Sequence, residues 1–235
     1  MTPEPIPRRK LYQEVMDRLL ARINAGEFSP GGQLPSEREL MDAYAVGRPA
    51  IREAMQQLER SGIITISHGE RARIARPTAE SMVEQMADAA RYLLSVEPRT
   101  LEHLKEARVF LEAGLAKLAA ERVDAAGLAC LRQRLDEHRE ASLDEFLKRD
   151  IAFHRQIAAM SGNPIFPAIV EGMLTWLGDY YHSLVRAQGV ESLTLHEHQR
   201  IYDAIAAGNA AEAAQAMADH LNRASDLYRP LTGGA

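Results

Sequence analysis

One stretch of this chain restricts its fold more than any other. Gln33-Leu-Pro-Ser-Glu-Arg-Glu-Leu-Met41 runs on through Val46-Gly-Arg-Pro49 to Ile51-Arg-Glu-Ala54, stringing together a turn, a helix start, a second turn and a second helix start. Ser36 is placed to cap the first helix, with Glu39 three residues on to close a capping box, because that spacing lets hydroxyl and carboxylate satisfy two backbone donors reciprocally. Pro49 suits the first turn of the second helix, where its missing N–H is not needed. That helix runs to Arg60 and stops at Ser61-Gly62. The run Ile63-Ile-Thr-Ile-Ser67 and a second segment near 72–76, joined around Gly69, read as a short β-hairpin. Helix, turn, helix and hairpin in this order predict a winged helix-turn-helix.

A further helix precedes the motif. From Lys10 to Ala25 apolar residues recur at Leu11, Val15, Leu19, Leu20 and Ile23, the spacing of one helix face, and Gly26 to Gly32 with Pro30 breaks it. Residues 1–9, with prolines at 3, 5 and 7, are expected to be disordered, and 10–77 to form the winged domain. Beyond Pro77 the chain reads helical, with starts at Thr78, Thr100, Asp124, Ser142, Pro164, Ser192 and Asn209. Six or seven helices over 78–230 predict an all-α bundle, with 231–235 as a flexible tail. The expected fold class is therefore mainly α.

Charge distribution qualifies the overall balance of −5. Residues 8–76 hold 12 Lys/Arg against 9 Asp/Glu, whereas residues 77–235 hold 16 against 23. A mildly basic head on an acidic body suits a nucleic-acid reader whose larger domain has another task. No apolar run is long enough to cross a membrane, no apolar stretch follows Arg8-Arg9-Lys10 to make a secretory signal, and the single Cys130 fits a reducing cytoplasm.

A recognition helix pushes its N-terminal side chains into the major groove, where arginine pairs bidentately with guanine. Arg48 and Arg52 sit one turn apart on one helix face, and Arg38 opens the preceding helix. Ser36 and the helix start around it can receive a phosphate. The tip at His68-Gly69 suits a wing entering the minor groove. In the helical region, Asp150 and His154 are i, i+4 and share a face, with His198 in a later helix and His220 in the last. One carboxylate and three imidazoles suit Zn²⁺, Ni²⁺ or Mn²⁺. Spacing alone is a weak signal that leaves solvated or capping histidines open, and His103, His138 and His182 are read that way. Trp176, Tyr180 and Tyr181 are read as core or dimer packing.

These residues carry a resemblance. Residues 11–76 resemble the GntR family of bacterial regulators, through the Leu34-to-Leu40 turn, the helix from Gly47-Arg48 to Ala54 and the His68-Gly69 wing. The resemblance implies that Arg38, Arg48 and Arg52 contact DNA, with Pro49 and Ala50 at bases or methyl groups and His68 and Gly69 at the wing. Residues 78–228 resemble the FCD ligand-binding domain of the FadR-type branch, through Arg108 and Glu112, Asp150 and His154, Gly162-Asn-Pro164, His198 to Ile205, and Met217 to Leu221. That likeness implies a divalent metal, Zn²⁺ first, on Asp150, His154, His198 and His220. It implies an effector clamp at Arg108, with Asn163 and His196 as further effector contacts. Gly69-Glu-Arg-Ala-Arg73 with Arg76-Pro77, and Gly162-Asn-Pro-Ile-Phe166, are similar to the sialic-acid-responsive repressors of the family.

The expectation is a cytoplasmic, homodimeric regulator of double-stranded operator DNA, released by a small carboxylate and not an enzyme. Two other readings are weighed: a metal-dependent enzyme on sugar acids or carboxylates joined to a DNA-binding head, and an acyl-CoA-sensing regulator. The filled Asp/His set speaks against the second, which would need an apolar groove.

Overall fold

The computed structural model describes residues 10–67, 69–97, 99–180 and 190–227. The expected disordered start and flexible tail, His68, Tyr181 and His182 lie outside them. The chain divides into two compact units, 1–85 and 86–235, so the division falls inside the helix Ala79–Val96, which begins just after Pro77.

The first unit contains α1 (Leu11–Asn24), α2 (Glu37–Tyr44) and α3 (Arg48–Arg60), followed by β1 (Ile64–Thr65) and β2 (Arg73–Ile74). The strands are antiparallel with Ile64 opposite Ile74, and both side chains point inward. Their regular part is shorter than the hydrophobic alternation suggests, and the Ala72–Arg73 segment is also paired on its other side, by the Leu34 N–H to the Ala72 carbonyl and a bridge between Gln33 and Arg73. The core is one cluster of Val15, Leu19, Leu34, Leu40, Ile51, Ala54, Leu58, Ile64 and Ile74. α1 and α2 both pack on α3, which fixes the angle at which α3 is offered to a partner. Between α2 and α3 the chain turns at Ala45, whose φ of 52° lies in the left-handed region that disfavours a side chain.

Helix α4 (Ala79–Val96) leads to α5 (Arg99–Glu121), α6 (Ala125–Arg139), α7 (Leu143–Ala159), α8 (Ile165–Tyr180), α9 (Val190–Ala206) and α10 (Ala210–Leu227). Several predicted caps form: Asp124 accepts from the Gly127 N–H at 2.6 Å and Asn209 from the Glu212 N–H at 3.2 Å. α9 begins at Val190, ahead of the expected Ser192 start, and Ser142 precedes α7 without a side-chain cap bond. In the second unit, α5 packs on α10, and Ala116, Ala119, Ala213 and Ala216 let the two backbones approach closely. Leu131, Leu135, Phe153, Ile157, Ile201 and Ile205 complete the same core. The buried stripe of α5 is unusual in carrying charge, at Lys105, Arg108 and Glu112. Buried charge persists only when paired, and the pairing defines the interior site described next.

Candidate nucleic-acid interface and candidate metal centre

In the first unit, α3 presents Arg48 and Arg52 on one exposed face. Glu37, the first residue of α2, sits between them: Arg48 Nε lies 3.7 Å from its Oε2 and Arg52 Nε 3.9 Å from its Oε1. Exposed pairs of this length are worth about 0–1 kcal/mol, so both guanidinium groups remain available to a stronger anion. The predicted capping box forms, with the Glu39 N–H donating to Ser36 Oγ at 3.3 Å and the Ser36 N–H donating to Glu39 Oε2 at 2.7 Å. Those bonds from Ser36, and then the wing's Arg71 at 3.6 Å, hold the Glu39 carboxyl below its ordinary range.

The first turn of α3 carries no acidic residue, which leaves the positive end of its dipole open to a phosphate. Arg38 and Pro49 are exposed and Ala50 is half-buried. Gly69 has φ of 77° with open space where a Cβ would stand, so backbone conformation, not crowding, demands glycine there. Glu37 was not anticipated from the sequence, since nothing in its spacing distinguishes it from an ordinary acidic first turn.

In the second unit, Asp150 and His154 on α7, His198 on α9 and His220 on α10 converge, each offering a donor atom within 4.8 Å of the others. His198 Nε2 lies 3.3 Å from His220 Nε2 and 3.5 Å from Asp150 Oδ1, and His154 Nε2 is 4.0 Å from the same oxygen. Donors about 2.0–2.2 Å from one ion at tetrahedral angles stand roughly 3.4 Å apart, so the spacing suits a metal.

The groups behind the rings agree. His220 Nδ1–H donates to Glu197 Oε2 at 2.7 Å, and Arg223 Nε donates to the other Glu197 oxygen at 2.6 Å. That bond turns the Nε2 lone pair of His220 toward the centre. Glu112 Oε2 stands 2.5 Å from His154 Nδ1, off the ring N–H axis, while Glu112 Oε1 accepts from Arg108 Nε at 2.5 Å. His154 Nε2 is buried with no hydrogen-bond partner among the described residues. Phe153 stacks on His198 with centroids 4.2 Å apart and fixes the plane of that ring.

Electrostatics favour neutral imidazoles at His198 and His220. Burial, reinforced by His220 and His154, pushes His198 well below its ordinary value. Burial also lowers His220, although Glu197 opposes the shift. Burial alone would raise the Glu112 carboxyl, but Arg108 and then His154 outweigh it and hold it at about 2. Neutral rings and ionised carboxylates are the protonation states a divalent cation requires.

The structure sorts the remaining candidates. Arg108 is buried, paired with Glu112, and near enough for its charge to disfavour protonation of His198 and His220. Asn163 is exposed and spends its Oδ1 on the Ile165 N–H at 3.0 Å, capping α8. His196 is also exposed and lines a separate open cleft of about 430 Å³ with Gln199, Arg200, Asp203 and Glu212. Neither joins the Asp/His cluster. His138 is a correction: expected to be solvated or capping, it is fully buried with Nδ1 3.3 Å from His198 Nδ1. Its place on the Leu131–Leu135 stripe of α6, one turn beyond Leu135, was the available signal.

Residues 11–74 match the model of bacterial regulatory proteins of the gntR family, and residues 103–223 match that of the FCD domain. The chain belongs to the gntR family of bacterial regulatory proteins. It is 37 % identical to the HTH-type transcriptional repressor NanR of Cronobacter sakazakii over 97 % of this chain and 89 % of that protein. Its identity to the protein of the same description from Klebsiella aerogenes is also 37 %, over 97 % and 88 %. Among solved structures, Streptococcus agalactiae GntR is similar with a TM-score of 0.66 and 26 % identity, covering 92 % of this chain and 99 % of that one. The winged helix-turn-helix and all-helical FCD architecture read from the sequence is thus the architecture of the molecule. These relatives are regulators rather than enzymes, and the chain is a DNA-binding transcription regulator. FCD domains are commonly metal-associated, and the Asp/His cluster lies inside the matched span. No helix among the described residues is long and apolar enough to cross a membrane.

Proposed function

We propose that this regulator is a cytoplasmic, homodimeric repressor released from its operator by a small carboxylate, a sugar acid such as sialic acid being the favoured effector. The observation that carries the effector reading is the buried convergence of Asp150, His154, His198 and His220 beside the Arg108–Glu112 pair. Those four residues would hold a divalent ion, Zn²⁺ first and Ni²⁺ or Mn²⁺ next, which when bound supplies a Lewis acid for an effector's carboxylate or hydroxyl. Arg108 offers the guanidinium that matches a carboxylate, and Asn163 and His196 make further effector contacts. Kinship to relatives described as NanR repressors, and the likeness of residues 69–77 and 162–166 to sialic-acid-responsive members, support a sugar acid. So polar an interior disfavours the long acyl chain of a fatty-acyl-CoA.

On DNA, Arg48 and Arg52 read guanines from α3, Pro49 and Ala50 meet bases or methyl groups, and Arg38 and Ser36 hold the flanking backbone. His68 and Gly69 place the wing. The DNA-binding domain spans 10–77 and the effector and dimerisation domain 78–230. One winged helix covers too few base pairs for useful specificity, so two-fold pairing on two half-sites is required. Effector binding weakens DNA affinity only through its different affinity for the two arrangements of the heads.

The test is a thermal-shift screen of the Zn²⁺-loaded protein against sialic acid, other sugar acids and small dicarboxylates. A ligand at about 100 times its Kd adds about 2.7 kcal/mol, which raises Tm by roughly 5–10 °C, and the hit should release bound DNA. His154→Ala should lose metal and effector response together. A screen in which no carboxylate shifts Tm, with His154→Ala retaining its metal by elemental analysis, overturns the effector reading.

A further inference from the structure

Three imidazoles converge on the centre, yet only two have a carboxylate behind them among the described residues. His220 is backed by Glu197 and His154 by Glu112. His198 is backed by a fourth imidazole: His138 Nδ1 lies 3.3 Å from His198 Nδ1, and both rings are fully buried. Packing holds this arrangement, with Phe146 against His138 at a centroid distance of 4.1 Å and Phe153 stacked on His198. We propose that His138 is the positioning residue that frees the inward nitrogen of His198 for the metal.

The argument is one of proton counting between two nitrogens. A neutral imidazole carries a single N–H, on one nitrogen or the other. If His198 Nε2 is to offer a lone pair to an ion, its proton must sit on Nδ1. That Nδ1–H then needs an acceptor, and His138 Nδ1 is placed to accept it. His138 must in turn carry its own proton on Nε2, an atom that is buried with no hydrogen-bond partner among the described residues. The opposite arrangement, with His138 Nδ1–H donating to His198 Nδ1, would leave a proton on His198 Nε2, directed at His220 and Asp150, and would close the site. The ring pair therefore shares one proton, and its position determines whether His198 is a ligand.

A neutral acceptor also differs from a carboxylate. It adds no negative charge behind His198, so His198 is the least basic of the three imidazoles and the one whose geometry depends most on its outer partner.

This inference rests on the metal reading above, and the experiment separates the two. Chelator-stripped full-length protein is titrated with Co²⁺ in competition with a chromophoric chelator, and the visible Co²⁺ spectrum is recorded for wild type, His138→Phe and His138→Asn. Phe keeps a ring against Phe146 but cannot accept a hydrogen bond; Asn restores an oxygen acceptor near the position of Nδ1. Removal of an outer partner typically weakens metal binding 10–100-fold, so His138→Phe should lose at least about tenfold in affinity with an altered spectrum, and His138→Asn should recover most of both. Should the Phe variant fail to keep wild-type helicity, His138→Leu against His138→Asn makes the same comparison with side chains of similar shape. Wild-type affinity and spectrum in the acceptor-less variant overturn the role of His138 alone. Wild-type protein that takes up no Co²⁺ overturns the metal reading and this role with it.

Discussion

Glu112→Gln is the most informative single change to the interior of the helical unit. It preserves side-chain size but removes a charge from a group in which Glu112, His154 and Arg108 are 2 %, 1 % and 8 % exposed. Two routes give similar magnitudes. Removing one member of a buried ion pair costs about 3–5 kcal/mol. A carboxyl held at about 2 when its ordinary value is 4.5 contributes roughly 3 kcal/mol at neutral pH, at about 1.4 kcal/mol per tenfold change in proton affinity. For a chain of this size that lowers Tm by roughly 6–12 °C. Urea and thermal unfolding of chelator-stripped protein at pH 7 measure the difference, and pH supplies an internal control. Because the folded carboxyl is depressed, its stabilisation is complete above about 4.5 and is lost as pH falls toward about 2. The gap between wild type and variant should narrow across that window. A gap under about 1 kcal/mol at pH 7, or one indifferent to acid, would refute the claim that Glu112 is the charge anchoring Arg108 and His154.

Three further outcomes are expected. Glu37→Gln should lower the ratio of specific to random-DNA affinity about threefold, from the loss of ~0.5–1 kcal/mol of pairing to Arg48 and Arg52, while binding to random DNA strengthens; an unchanged ratio in competition assays contradicts it. Ala45→Gly should stabilise the first unit by roughly 0.5–1 kcal/mol, since glycine relieves about 1–2 kcal/mol of left-handed backbone at φ of 52° and returns about 0.4–1 kcal/mol of it as unfolded-chain entropy, and no gain in urea unfolding would show that the turn carries no such strain. Burial lowers His138, His198 and His220, so metal-free protein should lose stability as pH falls below about 6.5, where the unfolded chain takes up protons that the folded chain refuses. Constant stability from pH 7 to 5 in chelator would contradict this.

The sequence was most legible where local chemistry decides structure. Ser36 and Glu39 form their capping box, α3 runs from Arg48 to Arg60, and Asp124 and Asn209 cap their helices, because each depends on neighbours a few residues apart. The four Asp/His positions were nameable because α7 presents two on one face, although bringing His198 and His220 to them required the resemblance. What stayed hidden depends on contacts across helices. Glu197 looks like a surface residue beside His198 until Arg223 and His220 are seen to bracket it. Glu37 acquires meaning only from the way α2 meets α3, and His138 only from α6 lying beside α9. The same holds for the places of Asn163 at the start of α8 and of His196 in a cleft away from the Asp/His cluster, which no local pattern in the sequence announces.

The central claim is that paired arginines on α3 read duplex DNA, and one measurement tests it directly. A DNA fragment that the wild-type protein itself selects from a random library is titrated, at two salt concentrations, with wild type, Arg48→Ala and Arg52→Ala. Loss of a bidentate guanine contact costs about 1–3 kcal/mol, so each variant should bind roughly 5- to 150-fold more weakly while retaining helicity and metal uptake. Wild-type affinity in either variant, or failure of the wild-type chain to select any sequence at low salt, would contradict the account.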